Sequence, residues 1–269
     1  MGFKSQGAAS MNLARILVIA TNVFREVIRD RILYIIGFYA LLLVIAAQLL
    51  PQVASTAQNK IILDFGLAAM SVMGLIVAIF VGTGLVNKEI EKRTVLVLIA
   101  KPISRSEFIT GKHLGLSAVL ALLIIAMTAI YLVVLQLGQI AYPLESILLA
   151  ALYLFLQLCL IVAVAIGLSV FTSPALATLL TFGIYLMGQF SEHLVELGRL
   201  SKNPSFERLT QGLYLVLPDL SRLDLKNQAV YGPDALPSLP ILVENAAYGL
   251  LYTVVLLTIA VTIFSYREF

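Results

Sequence analysis

Six apolar runs of membrane-spanning length dominate this chain, from Leu33 to Leu50, Phe65 to Val86, Phe108 to Leu137, Ser146 to Phe171, Ala175 to Phe190 and Ala246 to Phe264. A hydrocarbon core about 30 Å thick is crossed by roughly 20 apolar residues rising 1.5 Å each, so each run predicts a transmembrane helix. With 60% hydrophobic and only 12% charged residues, too little polar surface remains to clothe a water-soluble fold of 269 residues. The expected fold is therefore an all-α integral membrane protein with six transmembrane helices, forming one domain over 1–269.

Lysine and arginine set the orientation. Lys4, Arg15, Arg25, Arg29, Arg31, Lys88, Lys92, Arg93, Lys101, Arg105, Lys112 and Arg267 fall on one side of six crossings; Lys60, Arg199, Lys202, Arg208, Arg222 and Lys226 fall on the other. The richer side is expected to be cytoplasmic, with both termini on it. The net charge of +3 reflects this topology, and no basic stripe with interleaved aromatics points to nucleic acid. Met1 to Ser10 lacks a cleavable signal pattern, and the single cysteine, Cys159, rules out an intramolecular disulfide.

Ahead of the first run, Leu13, Ile16, Leu17, Ala20, Val23, Phe24, Val27 and Ile28 recur at helical spacing, with Arg15, Asn22, Arg25, Glu26 and Arg29 opposite. Residues 11–31 read as an amphipathic helix in the membrane interface, or equally as a charged flank that fixes orientation. In the second run Gly66, Gly74 and Gly82 recur every eight residues, close to two helical turns, and so share a face.

The stretch 87–112 is the most informative. Pro102 disfavours helix at Lys101, and Ser104 with Glu107 forms a Ser-x-x-Glu capping box that starts a new helix at Arg105. Continued to Leu137, that helix would be about 50 Å long, so its first turns project into the cytoplasm. Val95 to Ala100, six apolar residues in a row, require burial in the interface or against another protein. On the outer side, 191–245 is the longest hydrophilic segment, and its spaced leucines predict short amphipathic helices before an irregular return through Gly232, Pro233, Pro237 and Pro240.

Enzyme chemistry is not indicated. At the one Gly-Lys pair, Gly111-Lys112, Ser106 and His113 stand where a phosphate-binding loop needs Gly and Ser or Thr. The two histidines, His113 and His193, fall near opposite membrane faces, and the crossings hold almost no Asp or Glu for catalysis or proton relay. Gln48, Thr83, Gln136, Gln157, Ser169 and Gln189 are read as helix-to-helix hydrogen-bonding groups.

Three stretches resemble the ABC-2 type permeases, in the branch that includes the permease of nitrous oxide reductase and multi-copper enzyme maturation systems. Thr21 to Tyr34 looks like that family's elbow helix, Lys88 to Lys112 like its coupling-helix region between the second and third crossings, and Phe264 to Phe269 like its terminal motif. The resemblance implies a permease without its own ATPase site, paired with a second permease copy as a homodimer or with a paralogue. Both copies would dock on ABC ATPase subunits that bind ATP and Mg, with no cofactor or metal in this chain.

Glu89, Glu91, Arg93, Lys101, Pro102, Arg105 and Glu107 match the family's ATPase-coupling positions, and Arg25, Glu26, Arg29, Asp30 and Arg31 its elbow. Many lipid and polysaccharide exporters of the wider family carry Gly where Arg93 stands, so those substrates are not assigned. The expected location is the bacterial inner membrane, in contact with lipid. The expected function is export, and the alternative is mechanical transmission of ATPase motion to a periplasmic maturation partner.

Overall fold

The computed structural model describes residues 12–53, 58–91, 104–201 and 203–266, and among these the chain is helical without a strand. We label the helices α1 (Leu13–Val27), α2 (Leu33–Val53), α3 (Gln58–Glu91), α4 (Arg105–Leu137), α5 (Leu144–Ser169), α6 (Pro174–Gln189), α7 (Ser191–Leu200), α8 (Pro204–Val216), α9 (Lys226–Ala229) and α10 (Leu239–Tyr266). A π-helical segment, Ile28–Ile32, joins α1 to α2.

Five of them, α2, α3, α4, α5 and α10, are long and apolar enough to cross a membrane. The fifth expected crossing coincides with α6, which is apolar but has only 16 residues. At 1.5 Å per residue it is about 24 Å long, short of a core of about 30 Å. Apolar composition made the run visible in the sequence, and the helix ends at Phe190 before the crossing is complete.

Burial ranks the helices. In α5, 72% of the apolar window is buried, against 17% in α2 and 22% in α10, so α5 is the axis of the bundle and the other two form its rim. The α3 glycines do share a face: Gly66 sits under the Tyr131 ring of α4, Gly74 under Leu158 of α5, and Gly82 beside Ala165. Missing side chains let the backbones close in, the usual device where lipid removes any hydrophobic drive between helices. Gly111 and Gly115 of α4 do the same for α1. A Cβ at Gly111 would lie 2.8 Å from Ile19, and one at Gly115 would lie 2.7 Å from the Ala20 carbonyl. The amphipathic N-terminal helix is therefore packed on α4 through Ile16, Val23 and Val27.

The segment between α6 and α10 holds short helices, as its leucine spacing predicts, but it does more than cover the bundle. α7 and α8 pair with each other, with Gly198 against Thr210. The chain then turns inward through Leu217 and a 3-10 turn at Ser221–Leu223, and Leu220, Leu223, Leu225, Ala229 and Val230 are buried. Gly232, at φ +97°, supplies the left-handed turn back out, a conformation that costs a side-chain-bearing residue energy.

Candidate functional site

The first turn of α4 gathers three helix ends. Ser104 caps the helix, accepting from the Glu107 amide at 3.2 Å, while its own amide donates to Glu107 Oε2 at 2.8 Å. The predicted capping box is thus formed, and it accounts for half of the Glu107 carboxylate. The other oxygen, Oε1, accepts from the Asn12 amide at 2.8 Å, and Asn12 is itself the cap of α1, its side chain accepting from Ala14 at 3.0 Å. Arg15 of α1 adds its guanidinium 3.9 Å from Oε2. Glu107 is 1% exposed, so one buried carboxylate ties the starts of α1 and α4 together through charge-assisted bonds.

Arg105 reaches the third end. Its Nη1 donates to the Phe264 carbonyl at 2.9 Å and to the Ser265 carbonyl, both in the last turn of α10. A guanidinium at the C-terminal end of a helix complements the negative end of the helix dipole. Phe108 stacks on Phe264 with ring centroids 5.7 Å apart at 15°, and Lys112 Nζ stands 5.5 Å from the centre of the Phe108 ring. We call this cluster of Asn12, Arg15, Arg105, Glu107, Phe108 and Phe264 the clasp.

Other sequence-singled residues lie around it unevenly. Glu89 and Glu91 belong to the last turns of α3, whereas Arg93, Lys101 and Pro102 fall outside the described residues. Arg25, Glu26 and Arg29 are exposed, and Asp30 and Arg31 belong to the π-helical segment. Asn12 was readable as a cap, since it precedes an amphipathic run. Phe264 as the partner of Phe108 was not, because nothing local links positions so far apart in the chain.

The polar residues inside the helices join neighbours, as their apolar settings predict. Thr83 of α3 bonds Thr178 of α6 at 3.0 Å, Ser169 of α5 donates to the Thr83 carbonyl at 3.2 Å, and Asn87 donates to the same carbonyl at 3.1 Å. His113 of α4 meets the Cys159 carbonyl of α5 at 3.0 Å, whereas His193 is exposed on α7 beside Glu196. A groove of about 780 Å³ runs between α3 and α6, lined by Leu75, Phe80, Thr83, Pro174, Thr178 and Phe182.

A second knot lies where the segment between α6 and α10 turns into the bundle. Asp219 accepts from Ser191 Oγ at 2.7 Å, Ser221 Oγ at 2.6 Å and Arg222 Nε at 3.1 Å, and its amide donates to the Tyr248 hydroxyl at 2.8 Å. Gln189, at the end of α6, donates to Asp224, which also pairs with Lys226 at 2.6 Å. Gln157 of α5 donates to Gln189 Oε1 and to the Leu220 carbonyl, both at 3.1 Å.

With this geometry in place, the comparison with known proteins is specific: residues 17–269 match the family described as ABC-2 family transporter protein. No curated protein matches the chain.

Proposed function

From the premise that this chain belongs to the ABC-2 transporter family, as a multi-pass membrane permease, we propose that it moves a substrate across or out of the membrane with ATP hydrolysed on a separate ABC ATPase subunit. ATP and Mg bind that subunit, and the permease contributes motion. Six crossings, with α6 and the segment after it completing the fifth, place both termini in the cytoplasm, supported by the lysine and arginine bias. The location proposed is the bacterial inner membrane. Assignment to the nitrous oxide reductase maturation branch rests on the three residue stretches alone.

The observation that carries the proposal is the clasp. The cytoplasmic stretch between α3 and α4 meets the ATPase and acts as the coupling helix, and α1 serves as the elbow. Force applied there enters α4 at Arg105 and Glu107. Because Glu107 also holds α1, and Arg105 also holds α10, the elbow and the last crossing move with α4. Glu107 is turned inward and so contributes as a positioning residue, while Glu89, Glu91, Arg93, Lys101 and Pro102 are the proposed contacts to the ATPase. The α3/α6 groove, continuous with exposed Ile76, Phe80, Leu179 and Phe182, is where a second permease copy would pack.

The second reading, transmission to a periplasmic partner without transport, draws support from the α7/α8 hairpin, which exposes Leu197, Leu200, Phe206 and Leu209 on the proposed outer side. Co-purification of the permease with its ATPase tests the coupling site. The double charge reversal Glu91→Arg with Lys101→Glu is expected to release the ATPase while the permease stays folded and monodisperse in mild detergent. An ATPase retained at wild-type stoichiometry would move the coupling site elsewhere.

A further inference from the structure

From Leu13 to Val53 the backbone stays helical without a break, α1 passing through the π-helical segment into α2. Two shared levels fix its course. Gly115 of α4 lies against Val23 of α1. Further along, Tyr39 of α2 and Tyr131 of α4 meet the same stretch of α3, donating to the Gly66 carbonyl at 3.2 Å and the Leu63 carbonyl at 2.9 Å. Val23 to Tyr39 and Gly115 to Tyr131 are both sixteen residues, about 24 Å of helix. Equal lengths between the two levels mean that α1 and α2 together stand alongside α4, and that α1 does not lie flat in the membrane surface.

That posture lifts the charges of α1 into the bilayer. On α3, Gly82 sits beside Leu116 of α4, so Asn87, where the apolar stretch of α3 ends, is about 6 Å inward of Gly115. Arg25 and Arg29 follow Val23 by two and six residues, which sets them about 9 and 15 Å outward of Asn87. Both are exposed, they share a face at i and i+4, and among the described residues neither has an ion-pair partner. Like charges so spaced repel each other, and a bare guanidinium facing hydrocarbon is costly. Helix side chains lean toward the N-terminus, here inward, which returns Arg25 toward the surface but leaves Arg29 within the bilayer. Beyond them Leu33, Phe38 and Leu41 are exposed, and Gly37 leaves open space between them.

We propose that Arg25 and Arg29 together bind the phosphate of an anionic phospholipid of the inner leaflet, drawn outward along α1, with its acyl chains lying on α2 over Gly37. Two guanidinium forks on one helix face suit the oxygens of a phosphodiester, and the bound anion cancels their mutual repulsion. Glu26, exposed beside Arg25, opposes the anion, so the site holds one headgroup and binds it less tightly than two arginines alone would. The choice of leaflet follows the orientation proposed above, whereas binding itself does not depend on it.

Native mass spectrometry of the full permease, stripped of co-purified lipid in mild detergent and titrated with dioleoyl phosphatidylglycerol or dioleoyl phosphatidylcholine, tests the site. Phosphatidylglycerol is expected to bind at least roughly tenfold more tightly than phosphatidylcholine. Arg25→Gln with Arg29→Gln should remove that preference while phosphatidylcholine binding, the check on folding, stays as it was, and Glu26→Gln should strengthen it. Equal affinity of the wild type for the two lipids, or a preference that survives the double substitution, would overturn the proposal. Displacement of phosphatidylglycerol by inorganic phosphate would make this a free-anion site and overturn the lipid. Depth is tested separately, because the sequence has no tryptophan and a single introduced one reports its own position. Val18→Trp and Leu33→Trp are both exposed positions, about 22 Å apart along the helix. In bilayers of lipid brominated near the chain ends, Leu33→Trp should be quenched strongly and Val18→Trp weakly. Equal quenching would mean that α1 lies flat, with its arginines at the surface, and would overturn the drawn-in headgroup.

Discussion

Glu107 shows how much one residue can be read from its neighbours. Its spacing from Ser104 announced a capping box, and the box is there. The second half of its carboxylate, spent on the Asn12 amide 95 positions away, is a tertiary fact that no local pattern encodes. Glu107→Ala would strand the Asn12 and Ser104 amides in a partly buried site, at about 1 kcal/mol for each unsatisfied donor, the low end of the range because water can reach them. Thermal unfolding in detergent should register this as a clear loss of stability. Glu107→Gln keeps one acceptor oxygen and should fall between wild type and Glu107→Ala. Equal losses for the two variants would mean that the charge, and not the pair of hydrogen bonds, carries the contact.

At the scale of helices, apolar length was legible and helix ends were not. Glu244 and Asn245 interrupt the last apolar run at Ala246, yet α10 begins at Leu239, because a polar residue on an exposed helix face breaks hydropathy without breaking the backbone ladder. α3 likewise extends from Gln58 to Glu91 around a shorter apolar stretch. The inward turn at 217–231 was invisible for the opposite reason: Asp219, Arg222 and Asp224 look like loop residues until their partners are known. The amphipathic pattern of α1 was plain, whereas its seat was not, since Gly111-Lys-His-Leu-Gly115 has meaning only once α1 lies on it. Gly115→Leu should wedge α1 away, because even its Cβ would meet the Ala20 carbonyl at 2.7 Å. An overpacking loss of about 1–3 kcal/mol is expected, together with faster protease cleavage near residues 28–32. Gly37→Ala, with nothing within 4 Å of the new Cβ, is the matched control and should leave both readouts unchanged.

Across the whole molecule, the clasp at one end of the bundle and the inward turn at 217–231, packed partway along it, are joined through α10. α10 ends in the grip of Arg105 and, far along its length, carries Tyr248 against Asp219 and Gly249 against Leu223. α5, packed between α3, α4 and α10, holds the same turn through Gln157. A helix gripped at its end and packed on that turn partway along its length transmits displacement, so movement imposed at the clasp should be felt at the turn. With the ATPase bound and ATP supplied, the rate at which a charged thiol reagent labels Ser221→Cys in a Cys159→Ala background should therefore change relative to the nucleotide-free state. Arg105→Gln keeps a polar side chain but gives up the guanidinium that grips α10, and it should abolish that ATP-dependent change while ATP hydrolysis by the partner continues. If the change persists in Arg105→Gln, the force reaches the outer half through α4 and α5 without α10, and the grip on Phe264 and Ser265 serves stability alone.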